Sequence, residues 1–283
     1  MSLYKSFRLE TAEHVATLTL SRPQTMNAIG LQFMDDLAAV CAELAADTDT
    51  RAVILTATGR GFCSGLDVNL FSQVGATISI EELPTLIDRW QAAFDALANL
   101  PQITVSAING ITLGAGIELI LCTDFRICST RAVFGMPEVK LGIIPDLGGI
   151  PRLVRTVGLS WAKEIILRPR NFSAMEALRV GLINRVAEHG DLMGQARKWA
   201  RQFASLPAPA AREAKLLLNG SFETDLAISH SRAKEAQLKL FASPEFRTAL
   251  QAMREERAAG ERVPQEEPSG EPAPAQGPSD EQT

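Results

Sequence analysis

The most apolar stretch of the chain, residues 103–122, is broken by Asn109, by Gly110, Gly114 and Gly116, and by Glu118. A stretch so interrupted makes a poor membrane span, and it divides into a strand, a turn and a helix start. Residues 103–108 are an apolar run of strand length, Asn109-Gly110 turns the chain, and 117–122 reads as the start of a buried helix. A similar order occurs upstream, where the apolar run 52–57 meets the turn Gly59-Arg60-Gly61. Residues 15–20 alternate as a half-buried strand does and stop at Ser21-Arg22-Pro23. Phe33, Met34, Leu37, Val40, Cys41 and Leu44 recur near the helical period, which predicts an amphipathic helix over 31–46. A further helix is expected over 80–100, ended by Pro101. After Ile127 the pattern changes: 134–138 and 141–149 are loop-rich, and helices are expected over 153–157, 161–167, 174–180, 192–203, 209–218 and 222–241. Strand–helix units followed by helices alone predict an α/β body with a C-terminal helical region.

Charge and cysteine usage narrow the function classes. The net charge of −5 resides in 264–283, where Glu266, Glu267, Glu271, Asp280 and Glu281 stand with no Lys or Arg. The remainder is neutral and lacks the basic character of a nucleic-acid binder. Five of the 15 prolines fall in the same segment, which is expected to be a disordered tail because it has too little apolar surface to offset its ordering entropy. Cys41, Cys63, Cys122 and Cys128 form no C-x-x-C pair, and His14, His189 and His230 are scattered, so no metal site is expected. The N-terminus carries Glu10 and Glu13 and no basic start before an apolar run, so a cytoplasmic protein without a membrane segment is expected.

Two small-residue turns could carry chemistry: 61–67 (Gly-Phe-Cys-Ser-Gly-Leu-Asp) and 109–118, which contains Gly114-Ala115-Gly116-Ile117-Glu118. Small residues at a helix start let a ligand approach unpaired N–H groups, and two such groups on one oxygen would form an oxyanion hole. Glycine at such places also serves a tight turn and nothing more. Glu118 sits among Ile117, Leu119, Ile120 and Leu121, so it is either buried with a raised pKa or placed at a cavity wall. Glu138 and Asp146 lie in Pro- and Gly-punctuated loops, where a carboxylate often only caps or faces solvent. Ser64 lacks the G-x-S-x-G elbow of a serine hydrolase, and the glycine cluster matches neither a dinucleotide fingerprint nor a P-loop.

In order and spacing, Asn27-Ala28, the run 61–67, Ile108-Asn109-Gly110 with 114–119, and Phe134-Gly135-Met136-Pro137-Glu138 with 142–145 resemble the crotonase superfamily, the enoyl-CoA hydratase/isomerase group. The resemblance spans about residues 5–255. It implies a ββα spiral core over 1–200 and a C-terminal helical region, 201–260, that drives trimerisation, with the acidic segment 261–283 outside. It implies an acyl-CoA thioester substrate, no separate cofactor because coenzyme A is part of that substrate, and a homotrimer or homohexamer. The N–H groups of Ser64 and Ala115 would hold the thioester oxygen, with Ala115 standing where glycine is usual. Ala28, Ser64, Gly65, Leu66, Asp67 and Gly114 would line the substrate and coenzyme A site, with Arg22 toward the nucleotide end, and residues 71–90 would shape the acyl pocket. Glu118 would deprotonate water and Glu138 protonate the α-carbon of a trans-2-enoyl-CoA, a syn hydration. Asp146 stands where hydratases usually have glycine and dienoyl-CoA isomerases have aspartate, so isomerisation by Asp146 and Glu138 is the alternative. A noncatalytic binding protein on the same fold is the third reading.

Overall fold

The computed structural model describes residues 4–260; the acidic Pro-rich segment lies outside them. The chain opens with β1 (Phe7–Ala12) and β2 (Val15–Leu20), an antiparallel hairpin. Helix α1 (Leu31–Ala46) leads to β3 (Ala52–Ala57) and β4 (Gly61–Cys63), then to α2 (Val68–Gln73) and α3 (Leu83–Ala98). Next come β5 (Ile103–Ile108), β6 (Ile111–Leu113) and α4 (Ala115–Leu121), and after them β7 (Phe125–Ser129), β8 (Val133–Gly135) and α5 (Gly149–Leu167). The chain continues through β9 (Phe172–Ser173), α6 (Ala174–Arg179), β10 (Arg185–Ala187), α7 (Leu192–Ala204), α8 (Ala208–Asn219), α9 (Leu226–Phe241) and α10 (Pro244–Gly260).

The strands form two sheets. One has the order β1-β2-β3-β5-β7-β10 and is parallel apart from the first pair; the other has the order β4-β6-β8-β9. Three times in succession the chain lays one strand in the large sheet, the next in the small sheet, and then turns into helix: β3-β4, β5-β6 and β7-β8. This is the ββα spiral that the resemblance implies. Its consequence is positional, because β4, β6 and β8 are neighbours running parallel. Residues 64–67, 114–118 and 136–138 therefore leave the small sheet from the same edge.

The large sheet is buried on both faces, which is why its strands read as apolar runs. Ala52, Ile54, Val105, Ala107 and Ile127 pack against Leu192, Ala196 and Ala200 of α7, whose alanines let the helix approach closely. Val53 and Leu55 point the other way, into a core shared with Phe33 and Leu37 of α1 and Phe94 of α3. Lys215 ties α8 down, its Nζ donating to Gln102 O and to Asp124 Oδ2, both at 2.8 Å.

The chain divides into two compact units, one ending at Ala233 and one beginning at Lys234. Residue 200, where the sequence reading ends the core, falls inside α7. Several elements depart from the expected string. β1 buries only Phe7 fully, and its turn uses Glu13 and His14 at φ 52° and 62°, so neither apolar alternation nor a glycine marks the hairpin. The expected helix 153–157 begins four residues earlier, at Gly149, and is separated from the helix expected over 161–167 by Gly158, whose φ of 77° and ψ of 159° are not helical. α10 lies inside the expected helical region 201–260 but after the last helix named from sequence, 222–241. Among the described residues no helix is long and apolar enough to cross a membrane.

Candidate active site

The site starts at Asn27. With φ 55° it occupies the left-handed region that Asn tolerates better than most residues. It is buried, and its Nδ2 donates to the carbonyls of Thr58, Gly61 and Phe62 at 3.0–3.2 Å while its Oδ1 accepts the N–H of Arg22 at 2.9 Å. This one side chain fixes the exit of β2 against the β3–β4 turn. The stitching continues along the next residues. Ser64 N donates to Met26 O (3.0 Å), Ile29 N to Gly65 O (2.8 Å), and Asp67 N to Ile29 O (2.8 Å).

Those bonds correct one expectation. The N–H of Ser64 is committed to Met26 O and cannot hold a substrate oxygen. Leu66 forms a parallel bridge with Ile29 in which the neighbouring peptides make both bonds, so its own N–H points to the opposite side. On that side lies the β6–α4 junction: a Cβ placed on Gly65 (φ 91°) would come within 2.8 Å of Leu113 O and 3.5 Å of Ala115 N. Ala115 is the first residue of α4, where the peptide N–H has no helical acceptor. Neither the Leu66 nor the Ala115 N–H finds a partner among the described residues. The N–H groups left free to meet a ligand oxygen at this junction are therefore those of Leu66 and Ala115. The parallel-bridge register identifies Leu66, and it is invisible before the strands are paired.

Three acids converge beside these donors. Glu118, 2% exposed, projects from α4 and its Oε1 accepts the N–H groups of Leu147 and Gly149, each at 2.9 Å, at the start of α5. Glu138 follows β8, is 7% exposed, and its Oε2 has no hydrogen-bond partner among the described residues. Its Oε1 lies where a Cβ on Gly114 (φ 50°) would sit, at 2.6 Å, so glycine there both allows the backbone turn and admits the carboxyl. Asp146 is half-buried, and its carbonyl accepts a hydrogen bond from Gln91 Nε2 at 2.7 Å.

Burial, then the charge of Glu138 and Asp146, pushes Glu118 up to about 8 against the pull of its two N–H donors. Glu138 is raised by burial and by Asp146, and Asp146 is raised by burial. Glu118, raised to about 8, holds a proton at neutral pH beside two further acids, so the cluster offers a base and an acid together.

The other expected residues fall into place unevenly. Ala28 is buried next to Asn27, and Gly65, Leu66 and Gly114 border the donor pair. Asp67 has a local duty, its Oδ1 accepting the N–H of Asn69 at 3.0 Å at the start of α2. Arg22 contributes its main chain to the turn that holds Asn27. Among the described residues no group of three or more His, Cys, Asp or Glu side chains is arranged to hold a metal ion.

Comparison with known proteins agrees with this geometry. Residues 10–260 match the enoyl-CoA hydratase/isomerase family. The chain is 34% identical over 245 residues to the short-chain-enoyl-CoA hydratase of Clostridium acetobutylicum, covering 86% of this chain and 92% of that one. It is 32% identical over 250 residues to the crotonyl-CoA hydratase of Syntrophomonas wolfei, covering 88% and 95%. The crystal structure of an enoyl-CoA hydratase from Bacillus anthracis superposes with a TM-score of 0.84 at 31% identity, over 89% of this chain and 97% of that one. A family match over residues 10–260 and a fold shared along nearly the whole described length place this chain in the enoyl-CoA hydratase/isomerase family of the crotonase superfamily.

Proposed function

We propose that the protein is a 2-enoyl-CoA hydratase. The reading rests on two buried glutamates, Glu118 and Glu138, facing one another's charge beside the unpaired N–H groups of Leu66 and Ala115. The thioester oxygen binds between those N–H groups. With the proton of the acid cluster carried on Glu138, Glu118 is left as the carboxylate that takes a proton from water, and the hydroxide adds to the β-carbon. The electron pair of the double bond moves onto the thioester oxygen as an enolate, and each N–H contributes roughly 2.7–4 kcal/mol to holding that charge. Glu138 returns a proton to the α-carbon, the role suited to its unpartnered Oε2. Coenzyme A arrives with the substrate, so the reading needs no added cofactor, and it goes with a cytoplasmic enzyme of fatty acid β-oxidation or a related route.

Asp146 supports a second reading. Its charge raises both glutamates, so its carboxyl lies in their neighbourhood, and a proton relay between Asp146 and Glu138 would move a double bond. Crotonyl-CoA and a 3,5-dienoyl-CoA, followed separately in the ultraviolet, divide the two. Loss of the enoyl absorbance in the first is the expected result. A 2,4-dienoyl chromophore growing in the second, with the first unchanged, would make the enzyme an isomerase.

A further inference from the structure

A groove of about 530 Å³ opens beside Asp146, and this inference about it rests on the enoyl-CoA reading above. Ile144 and Ile150 give it some apolar wall, but Gln91 and Asp95 of α3, Asp146, and Arg152 and Arg155 of α5 also line it. Residues 71–90, the expected source of the acyl pocket, end one position short of Gln91. The polar groups are held in place. Arg152 pairs with Asp95 through one guanidinium nitrogen and donates to Leu147 O through another at 3.0 Å. Gln91 Nε2 is spent on Asp146 O. Gln91 Oε1, Asp95 Oδ2 and Arg152 Nε are among the hydrogen-bonding atoms of the lining that stay without a partner among the described residues.

An alkyl chain laid along such walls would strip water from these atoms and return no hydrogen bond. A carboxylate would gain little either, because two arginines and two aspartates leave the groove without net charge. A hydroxyl both donates and accepts, and so satisfies free acceptors and a free donor alike. We infer that the preferred acyl group carries a hydroxyl beyond the reacting carbons, bound between Gln91 and the Asp95–Arg152 pair.

The test is kcat/KM on trans-2-enoyl-CoA thioesters of one chain length ending in methyl, hydroxyl or carboxylate. The hydroxylated substrate should exceed the methyl-ended one by roughly 5-fold, the scale of one net hydrogen bond. Gln91→Leu should shrink that ratio. A methyl-ended substrate equal or better, with hydration intact, overturns the inference and leaves the proposed function standing. A carboxylate in first place overturns it in favour of an anion site, and an unchanged ratio in Gln91→Leu overturns the placement. Turnover of none of the three defeats the inference together with the hydratase reading.

Discussion

Glu118 and Glu138 differ in what their oxygens touch, and that difference assigns their work. Two backbone N–H groups hold Glu118 Oε1, which orients the carboxyl, whereas Glu138 Oε2 is buried with nothing to bond. Glu138→Gln should bind the CoA ester nearly as before and lower kcat by at least ~10²-fold, the contribution of one general acid. Steady-state turnover with a binding assay checks it, and surviving turnover would remove Glu138 from the reaction. Glu118 also has a signature in stability. Its carboxyl is raised to about 8 from an ordinary 4.5, so the folded state holds a proton there that the unfolded chain releases. That contribution is full below about pH 4.5 and is lost as pH rises through 8. Glu118→Gln keeps an acceptor for Leu147 and Gly149 and cannot ionise. Its melting temperature should exceed that of the unsubstituted protein at pH 8.5 and fall less between pH 6 and 8.5, by about 2–4 °C for each kcal/mol relieved. Calorimetry at the two pH values decides. All three acids were legible in the sequence, Glu118 because no polar face exists for it among its apolar neighbours. Their mutual influence was not, since 118, 138 and 146 meet only through α4, the turn after β8 and the start of α5.

At the scale of elements, the site is the exit edge of three very short strands. β4, β6 and β8 have three residues each, too few for a period-2 pattern to register, and β8 was read from sequence as loop. The long strands β2, β3 and β5 and the helices α1 and α3 were legible, because six or more residues carry a period or an unbroken apolar run. Oxyanion donors are an element-scale property as well, set by which peptide a neighbouring strand has already used. Ser64 and Leu66 lie two residues apart, and bonds to Met26 and Ile29 take the N–H of one and turn the other outward. Ala115 stands at the first position of α4, where proline is tolerated. Ala115→Pro should keep the circular dichroism spectrum, remove one donor and lower kcat by about 10²–10³-fold. A folded variant with undiminished turnover would take Ala115 out of the oxyanion hole.

For the whole molecule, Leu218, Phe222 and Leu226 are each about 70% exposed around the end of α8 and the start of α9. Apolar side chains grouped this way on a surface mark a contact with another protein. They support the homotrimer or homohexamer expected from the family resemblance. Light scattering of the purified protein should give three or six times the chain mass of 30.6 kDa; the mass of one chain would rule this assembly out. The sequence by itself determined the family, the α/β class and the identity of the three acids, because those reside in residue type, order and spacing along the chain. The tertiary structure alone decided which peptide N–H groups are left for substrate, that the charges of Glu138 and Asp146 act on Glu118, and that the groove beside Asp146 is polar. Each of these depends on partners tens of residues apart, and on competition for hydrogen bonds and solvent that begins only once the strands are paired.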